Sequence, residues 1–171
     1  MLICLTQNLH QKFFKINIFY PREQGGAQTD VVNHERVSPM AVAVLKYHDD
    51  VAQLLFNHGA DPNIADDQKR TLLMLLALQS PSDLVTERIE YLIEHFSPNP
   101  NVQDIHGLTV MHHISTVKLS KENQVKLIDT AKILSGAGVD VNIKDFAART
   151  AIFQATKSEN IPLIDFLISK G

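Results

Sequence analysis

Pairs of apolar residues recur along the chain at positions that fit the buried face of a helix. The pairs are Leu54-Leu55, Leu92-Ile93, Ile133-Leu134 and Phe166-Leu167. The residue three positions before each pair is Val51, Ile89, Thr130 or Leu163, so only the third pair lacks an apolar residue there. Apolar residues at i, i+3 and i+4 share one face of an amphipathic helix. The pattern therefore predicts four helices, each with one buried stripe.

A short polar frame precedes the first predicted helix, and another copy follows each of the first three helices. Its clearest copies are Gly59-Ala60-Asp61-Pro62-Asn63 and Gly138-Val139-Asp140-Val141-Asn142, and weaker copies occupy residues 26–30 and 97–101. A Thr or Ser stands eight residues after the fifth residue of each frame, at Ser38, Thr71, Thr109 and Thr150. From 38 to 71, 71 to 109 and 109 to 150 the intervals are 33, 38 and 41 residues. Such recurrence indicates a repeat architecture.

Each Thr or Ser opens a run that is characteristic of one family. The runs are Ser38-Pro39-Met40-Ala41, Thr71-Leu72-Leu73-Met74, Thr109-Val110-Met111-His112 and Thr150-Ala151-Ile152-Phe153. They resemble the Thr-Pro-Leu-His signature of ankyrin repeats, which have a 33-residue period. Five residues before the runs stand Asn33, Asp66, Asp104 and Asp145, where the family opens an Asp-x-x-Gly turn. Only the third unit keeps the turn glycine, Gly107; Arg36, Lys69 and Ala148 replace it elsewhere.

The resemblance, which extends from Gly26 to Gly171, implies an all-α ankyrin-repeat solenoid. About four stacked helix-turn-helix units, joined by β-hairpin loops, are expected at residues 31–63, 64–101, 102–142 and 143–171. The extra residues of units two and three are expected between their two helices, at 80–84 and 118–123, with Pro81 ending one helix and Ser120 capping another. Residues 1–25 do not fit the repeat and are expected to form an irregular segment. Two interpretations remain: a degenerate helix that caps the first repeat, or an artificial start of the chain.

Local roles follow from residue type. Thr or Ser at each marker is expected to cap a helix by accepting a backbone N–H. Gly59 and Gly138 suit a left-handed residue after a helix. Asn63, Asn101 and Asn142 are expected to satisfy backbone groups of the turn that follows them. By resemblance, His112 bonds the capping Thr and neighbouring backbone.

Composition removes several classes of function. The chain of 171 residues has 16 basic and 19 acidic side chains, so no basic field favours nucleic acid as a partner. Cys4 is the sole cysteine, which excludes an intrachain disulfide and favours a reducing compartment, the cytoplasm or alternatively the nucleus. The apolar residues 1–5 are too few to span a bilayer, and no membrane insertion is expected.

No catalytic, metal or cofactor site is predicted. His112 and His113 are adjacent, and consecutive helical residues do not face each other, so they cannot chelate one ion together. The chain has no His-Glu-x-x-His, Cys-x-x-Cys, calcium loop or Gly-rich phosphate loop. Cys4 lies outside the repeats and has no evident base. The protein is therefore expected not to be an enzyme.

The resemblance implies a non-catalytic module that binds another protein on its concave surface, made by the first helices and the hairpin tips. Two sets of residues are the expected contacts. The first is the residue directly after each signature run: Val42, Leu75, His113 and Gln154. The second is a set of hairpin-tip residues: Lys69, Ile105, His106 and Phe146. Alternatively, the array selects targets for a larger enzyme, ubiquitin ligase adaptor, secreted effector or channel, because the frame breaks off at Gly171. Self-association through the uncapped C-terminal unit is a further expectation.

Two asparagines also match the pattern of hydroxylated ankyrin asparagines, which have Leu eight residues before and an acid two before. Asn63 follows Leu55 and Asp61 in this way, and Asn142 follows Leu134 and Asp140. The same residues belong to the ordinary fold consensus, so a purely structural role competes with modification.

Overall fold

The computed structural model describes residues 27–117 and 121–171, and within them the chain forms eight α-helices. They are α1 (Pro39–Leu45), α2 (Asp49–Asn57), α3 (Leu72–Ala77), α4 (Asp83–Phe96), α5 (Val110–Thr116), α6 (Lys121–Gly136), α7 (Ala151–Lys157) and α8 (Ile161–Lys170). These residues contain no extended strand, and a single antiparallel bridge pairs Ala65 with Thr71. The predictions for residues 1–25 and for Ser120 fall outside the described residues.

The helices pack as four pairs that are stacked along the chain. Within units, α1 contacts α2, α3 contacts α4, α5 contacts α6 and α7 contacts α8. Between units, α5 lies between α3 and α7, while α6 lies between α4 and α8. The first helices thus form one row and the second helices another, and the predicted all-helical repeat array is confirmed. One continuous core runs from Met40 to Leu167.

The predicted buried stripe exists in the second, third and fourth units but is wrong in the first. Ile89, Leu92 and Leu163 have no exposed surface, whereas Val51 is 40% and Leu54 is 59% exposed. In α2 the core contacts come instead from Ala52, Leu55 and Phe56. Equivalent positions in later units lie against the preceding unit, and no described element precedes the first unit.

The extra residues of units two and three lengthen the second helices. α4 has 14 residues and α6 has 16, compared with 9 in α2 and 10 in α8. α3 ends at Ala77, before Pro81, and Ser82 caps α4 by accepting the Val85 N–H at 3.2 Å. Of the residues expected as insertions, 80–82 lie between α3 and α4, 83–84 begin α4, and 121–123 begin α6.

The predicted helix caps are only partly present. Ser38 Oγ accepts the Ala41 N–H at 3.1 Å, as expected. Thr71 and Thr150 keep the extended cap backbone, but their hydroxyls make no cap hydrogen bond, so that prediction is wrong for them. Gly59 and Gly138 are left-handed, with φ of 89° and 86°, which confirms their predicted role.

All four predicted turns form around their Asn or Asp. In the second unit one carboxylate oxygen of Asp66 accepts the N–H groups of Gln68 at 2.8 Å and Arg70 at 2.9 Å. Asn33, Asp104 and Asp145 accept the equivalent pairs of N–H groups. Each turn needs a left-handed residue, and Arg36, Lys69, Gly107 and Ala148 have φ of 56°, 56°, 77° and 59°. Three of the turns therefore strain a residue that has a Cβ.

Exchanging glycine and alanine at two of these turns should change stability in opposite directions. Ala148→Gly removes an exposed methyl group from a left-handed site, and we expect it to raise the free energy of unfolding by about 0.5 kcal/mol. Gly107→Ala should lower it by about 2 kcal/mol, because the new Cβ would lie 2.7 Å from the Phe146 nitrogen. Urea unfolding measures both values; shifts of the same sign would contradict the argument.

Candidate interaction surface

The hairpin tips of the second, third and fourth units are joined into one edge by backbone hydrogen bonds. The Ile105 N–H donates to the Gln68 carbonyl at 3.0 Å, and the Phe146 N–H donates to the His106 carbonyl at 3.1 Å. Each tip is thus fixed to the tip before it. Side chains at these positions are carried by a hydrogen-bonded backbone, so a ligand that bound them would cause little loss of backbone conformational entropy.

Exposed side chains cover this edge from end to end. Phe146 is 74% exposed and Ile105 is 37% exposed, so the third and fourth tips are apolar. The other exposed tip residues are His34, Glu35, Arg36, Asp67, Gln68, Lys69, His106 and Ala147. Arg36 and Asp67 approach to 3.4 Å across the first junction. The edge therefore changes from charged at its first two tips to apolar at its last two.

Arginines lock the second and fourth turns. Arg70 Nε and Nη2 lie 2.9 Å and 2.7 Å from Asp66 Oδ2, and Arg149 makes the same fork to Asp145 at 2.8 Å from each nitrogen. Burial acts to raise the pKa of Asp66 and of Asp145, but the arginine and backbone hydrogen bonds outweigh it and hold each pKa below 3.8. Both carboxylates are therefore ionised and fully bonded within the turns.

The third turn uses a histidine where the second and fourth turns use arginine. Leu108 stands at the arginine position, and His113 Nε2 lies 3.0 Å from Asp104 Oδ2 instead. His113 is only 5% exposed, so the structure places this predicted contact residue in the interior. Burial lowers the pKa of His113 below 6.5 despite the opposing effect of Asp104.

The His113 pKa makes stability sensitive to mildly acidic pH. Above pH 6.5 the imidazole is neutral in both states; as pH falls below 6.5 the unfolded chain binds the proton first, so the free energy of unfolding decreases. His113→Gln keeps a donor for Asp104 and should reduce the stability lost between about pH 7.5 and 5.5. Urea unfolding at both pH values tests this expectation, and equal losses in the two proteins would contradict it.

The other members of the predicted contact row differ in accessibility. Val42 and Leu75 are half-buried on α1 and α3, while Gln154 on α7 is 8% exposed. Gln154 borders an open depression of about 180 Å³ together with Thr116, Lys157 and Ser158. The row therefore offers little side-chain surface at its last two positions, in contrast to the hairpin tips.

His112 connects the third unit to the fourth. Its Nδ1 lies 3.2 Å from the Thr109 nitrogen and 2.9 Å from the Thr109 hydroxyl. Its Nε2 lies 3.1 Å from the Arg149 carbonyl in the next unit. A ring protonated on Nε2 satisfies all three contacts. These bonds confirm the predicted structural role, and they extend it across the unit junction.

The asparagines bridge successive units, which corrects the prediction that they serve the turn that follows them. Asn63 Oδ1 accepts the Asn99 N–H at 2.7 Å, and Asn101 Oδ1 accepts the Asp140 N–H at 2.8 Å. Spacing within one unit could not show this, because each partner lies 36 or 39 residues away.

A buried arginine that the sequence did not single out holds the first junction. Arg88 is 5% exposed, its Nη2 lies 2.5 Å from Asp49 Oδ1, and its guanidinium stacks 4.3 Å and 4.7 Å from the Tyr47 and Tyr91 ring centres. In the sequence, Arg88 is marked only by its position directly before Ile89, a residue of the predicted buried stripe. Tyr47 and Asp49 belong to the first unit, whereas Arg88 and Tyr91 belong to the second, so this cluster joins the two units.

Comparison with known proteins identifies the fold. A family model described as ankyrin repeats, in three copies, matches residues 40–145, which is more than half of the chain. The chain belongs to the ankyrin repeat family. It is also 26% identical over 135 residues to the nuclear factor NF-kappa-B p105 subunit of Gallus gallus. That match covers 78% of this chain and 13% of the relative, so the chain spans a small part of the relative's length.

Ankyrin repeats generally act as non-catalytic modules that bind other proteins, and this array has the scaffold for that role. Among residues 27–117 and 121–171, no group of three His, Cys, Asp or Glu side chains is placed to hold a metal ion. No helix in that same part of the chain is long and apolar enough to cross a membrane. Hydroxylation of Asn63 or Asn142 stays a prediction; Asn142 is the more exposed of the two.

Proposed function

We propose that this ankyrin array binds a partner protein along the hairpin-tip edge, with Phe146 and Ile105 as its main apolar contacts. The observation that carries the proposal is the 74% exposure of Phe146 on a tip whose backbone is fixed to its neighbour. A large exposed aromatic side chain costs little conformational entropy to immobilise, and aromatic residues dominate the binding energy of many interfaces.

The neighbouring tips extend the proposed contact. His106 lies beside Ile105, and Lys69 lies on the preceding tip, so a polar margin borders the apolar pair. Val42 and Leu75 add half-buried apolar surface on the first helices, while His113 and Gln154 contribute through the support that they give from the interior. The proposed partner therefore carries an apolar segment that faces the third and fourth tips.

The charge and cysteine content of the chain bear on its class of partner and on its location. We infer that the module is not itself an enzyme and needs no cofactor, as is general for ankyrin repeats. Its proposed partner is another protein rather than nucleic acid, because the net charge of −3 supplies no basic field. A cytoplasmic or nuclear location agrees with the single cysteine, which leaves no intrachain disulfide to be formed.

Loss of the Phe146 ring should weaken partner binding without unfolding the array. Proteins retained by the immobilised chain from native cell extract are identified by mass spectrometry, and the dissociation constant of each purified candidate is then measured. We expect Phe146→Ala and Ile105→Ala to weaken binding about thirtyfold each, because truncating a hot-spot side chain costs about 2 kcal/mol or more.

Leu84→Ala is the matched control, since Leu84 is 61% exposed on α4, away from the hairpin tips. Thermal melting of all three variants checks that they remain folded. A partner that binds Phe146→Ala and Ile105→Ala as tightly as the unaltered chain would overturn the proposed surface.

A second candidate function is target recognition within a larger protein, such as an enzyme, ubiquitin ligase adaptor, effector or channel. It is favoured by the match to p105, of which this array corresponds to only 13%. Reading the open reading frame past the codon of Gly171 tests it. A further coding domain would support this candidate, and an immediate stop codon would contradict it.

A further inference from the structure

We propose that the array associates head to tail with a second copy of itself, its last unit stacking on the first unit of the other copy. The proposal concerns the two end faces of the stack and does not depend on the hairpin-tip edge. It rests on positions that are buried at every internal junction but are open at one end, and on hydrogen-bonding groups that match in register.

The end face of the fourth unit exposes positions that face the following unit elsewhere. Phe153 is 51% exposed, whereas its equivalents Ala41, Met74 and His112 are between 1% and 6% exposed. His112 shows that this position faces the next unit, since its Nε2 contacts the Arg149 carbonyl of that unit. Thr156 is also exposed, and its equivalents Val44, Ala77 and Ser115 are buried. This face is therefore built to be covered by another unit.

The opposite face of the first unit is open in the complementary way. Val51 is 40% exposed, while its equivalents Ile89, Thr130 and Leu163 are between 0% and 3% exposed. Thr130 shows that this position faces the preceding unit, because its hydroxyl lies 3.0 Å from the hydroxyl of Thr86 in that unit. Leu54, at 59% exposed, lies one turn from Val51 on α2. The first unit thus exposes an apolar surface at the position where later units contact the unit before them.

Two acceptors on the last unit match two donors on the first. At the third junction, Asn101 Oδ1 accepts the Asp140 N–H and the His106 carbonyl accepts the Phe146 N–H. Asn63 and Gln68 accept from Asn99 and Ile105 in the same register at the second junction. At each of these junctions, the two acceptors of one unit lie five residues apart in sequence, and the two donors of the next unit lie six residues apart.

The same spacing recurs at the two ends of the described chain. Asn142 and Ala147 are the acceptors that continue the series, and Gln28 and His34 are the donors that begin it. Within residues 27–117 and 121–171, the Asn142 side-chain oxygen, the Ala147 carbonyl and the N–H groups of Gln28 and His34 have no hydrogen-bond partner. A second copy that continues the stack would pair Asn142 with Gln28 and Ala147 with His34.

A contact of this kind joins two different faces, so it does not close on itself and can grow into longer chains. Sedimentation velocity of the full chain over a wide range of concentration is expected to show dimers and larger species. Phe153→Asp blocks one face and Leu54→Asp blocks the other, so each variant alone should lose these species. Their mixture should regain a dimer and nothing larger, because each variant keeps one intact face.

Leu84→Asp, on an exposed site away from both ends, is the matched control and should associate like the unaltered chain. If either variant loses its helical signal, Thr156→Lys and Val51→Lys replace the pair. A full chain that stays monomeric at every concentration overturns the proposal. A mixture that stays monomeric, or loss of association in only one variant, also overturns it.

Discussion

Replacing Phe96 by alanine is expected to lower the free energy of unfolding by about 3–5 kcal/mol, the range found for deleting a large buried aromatic side chain. Phe96 is the last residue of α4 and is 2% exposed. Its ring meets Phe56 of the first unit edge-on at 5.0 Å and Tyr91 at 5.6 Å. The substitution would leave a cavity at a junction, so it would remove core contacts from two units together.

Urea unfolding followed by circular dichroism measures this loss. Leu84→Ala, on the exposed surface of the same helix, serves as the control and should change stability by less than about 0.5 kcal/mol. Equal effects of the two substitutions would show that the first junction contributes little to folding.

The second large effect is expected at Asp104, which is 3% exposed. Its Oδ1 accepts the N–H groups of His106 and Leu108 at 2.8 Å and 2.9 Å, and its Oδ2 lies 3.0 Å from His113 Nε2. Asp104→Ala leaves these donors without an acceptor, and we expect a loss of about 3 kcal/mol, since each unsatisfied buried donor costs about 1–3 kcal/mol.

Asp104→Asn separates the two parts of this role. The first unit already uses an amide at this position: Asn33 Oδ1 accepts the Glu35 and Val37 N–H groups at 3.0 Å and 2.9 Å. The asparagine variant should therefore keep the turn and lose only the His113 contact, at a cost of about 1 kcal/mol. Chemical denaturation of both variants tests the order, and a cost for Asn as large as that for Ala would refute it.

Elements that depend on neighbours within one unit were predictable from the sequence. The Asp or Asn that opens each turn acts on N–H groups two and four residues later, so its position alone indicated the turn. The left-handed residue after it was recognisable even where Arg36, Lys69 or Ala148 replaces glycine. α6 also begins at Lys121, directly after Ser120, which the sequence predicts as its cap.

Features that depend on the adjoining unit were not predictable. Val51 fits the buried stripe as well as Ile89 does, yet it is exposed because no described unit covers it. His113 is a different case, because its partner lies in its own unit: Leu108 stands where the second and fourth turns have an arginine, and Asp104 pairs with His113 in the interior instead. The stacking of Arg88 between two tyrosines required the first and second units to be in place.

The sequence by itself determined the repeat unit: its period, its turns, its helix pairs and its membership of a stack. Hydrogen bonds and apolar periodicity over a few residues define these features, and such local interactions repeat whenever the residues do. Only the tertiary structure decided which side chains are open, because burial in a stack is set by the unit on either side. The exposure of Phe146, Phe153 and Leu54, on which the proposed binding surfaces depend, is a property of those junctions.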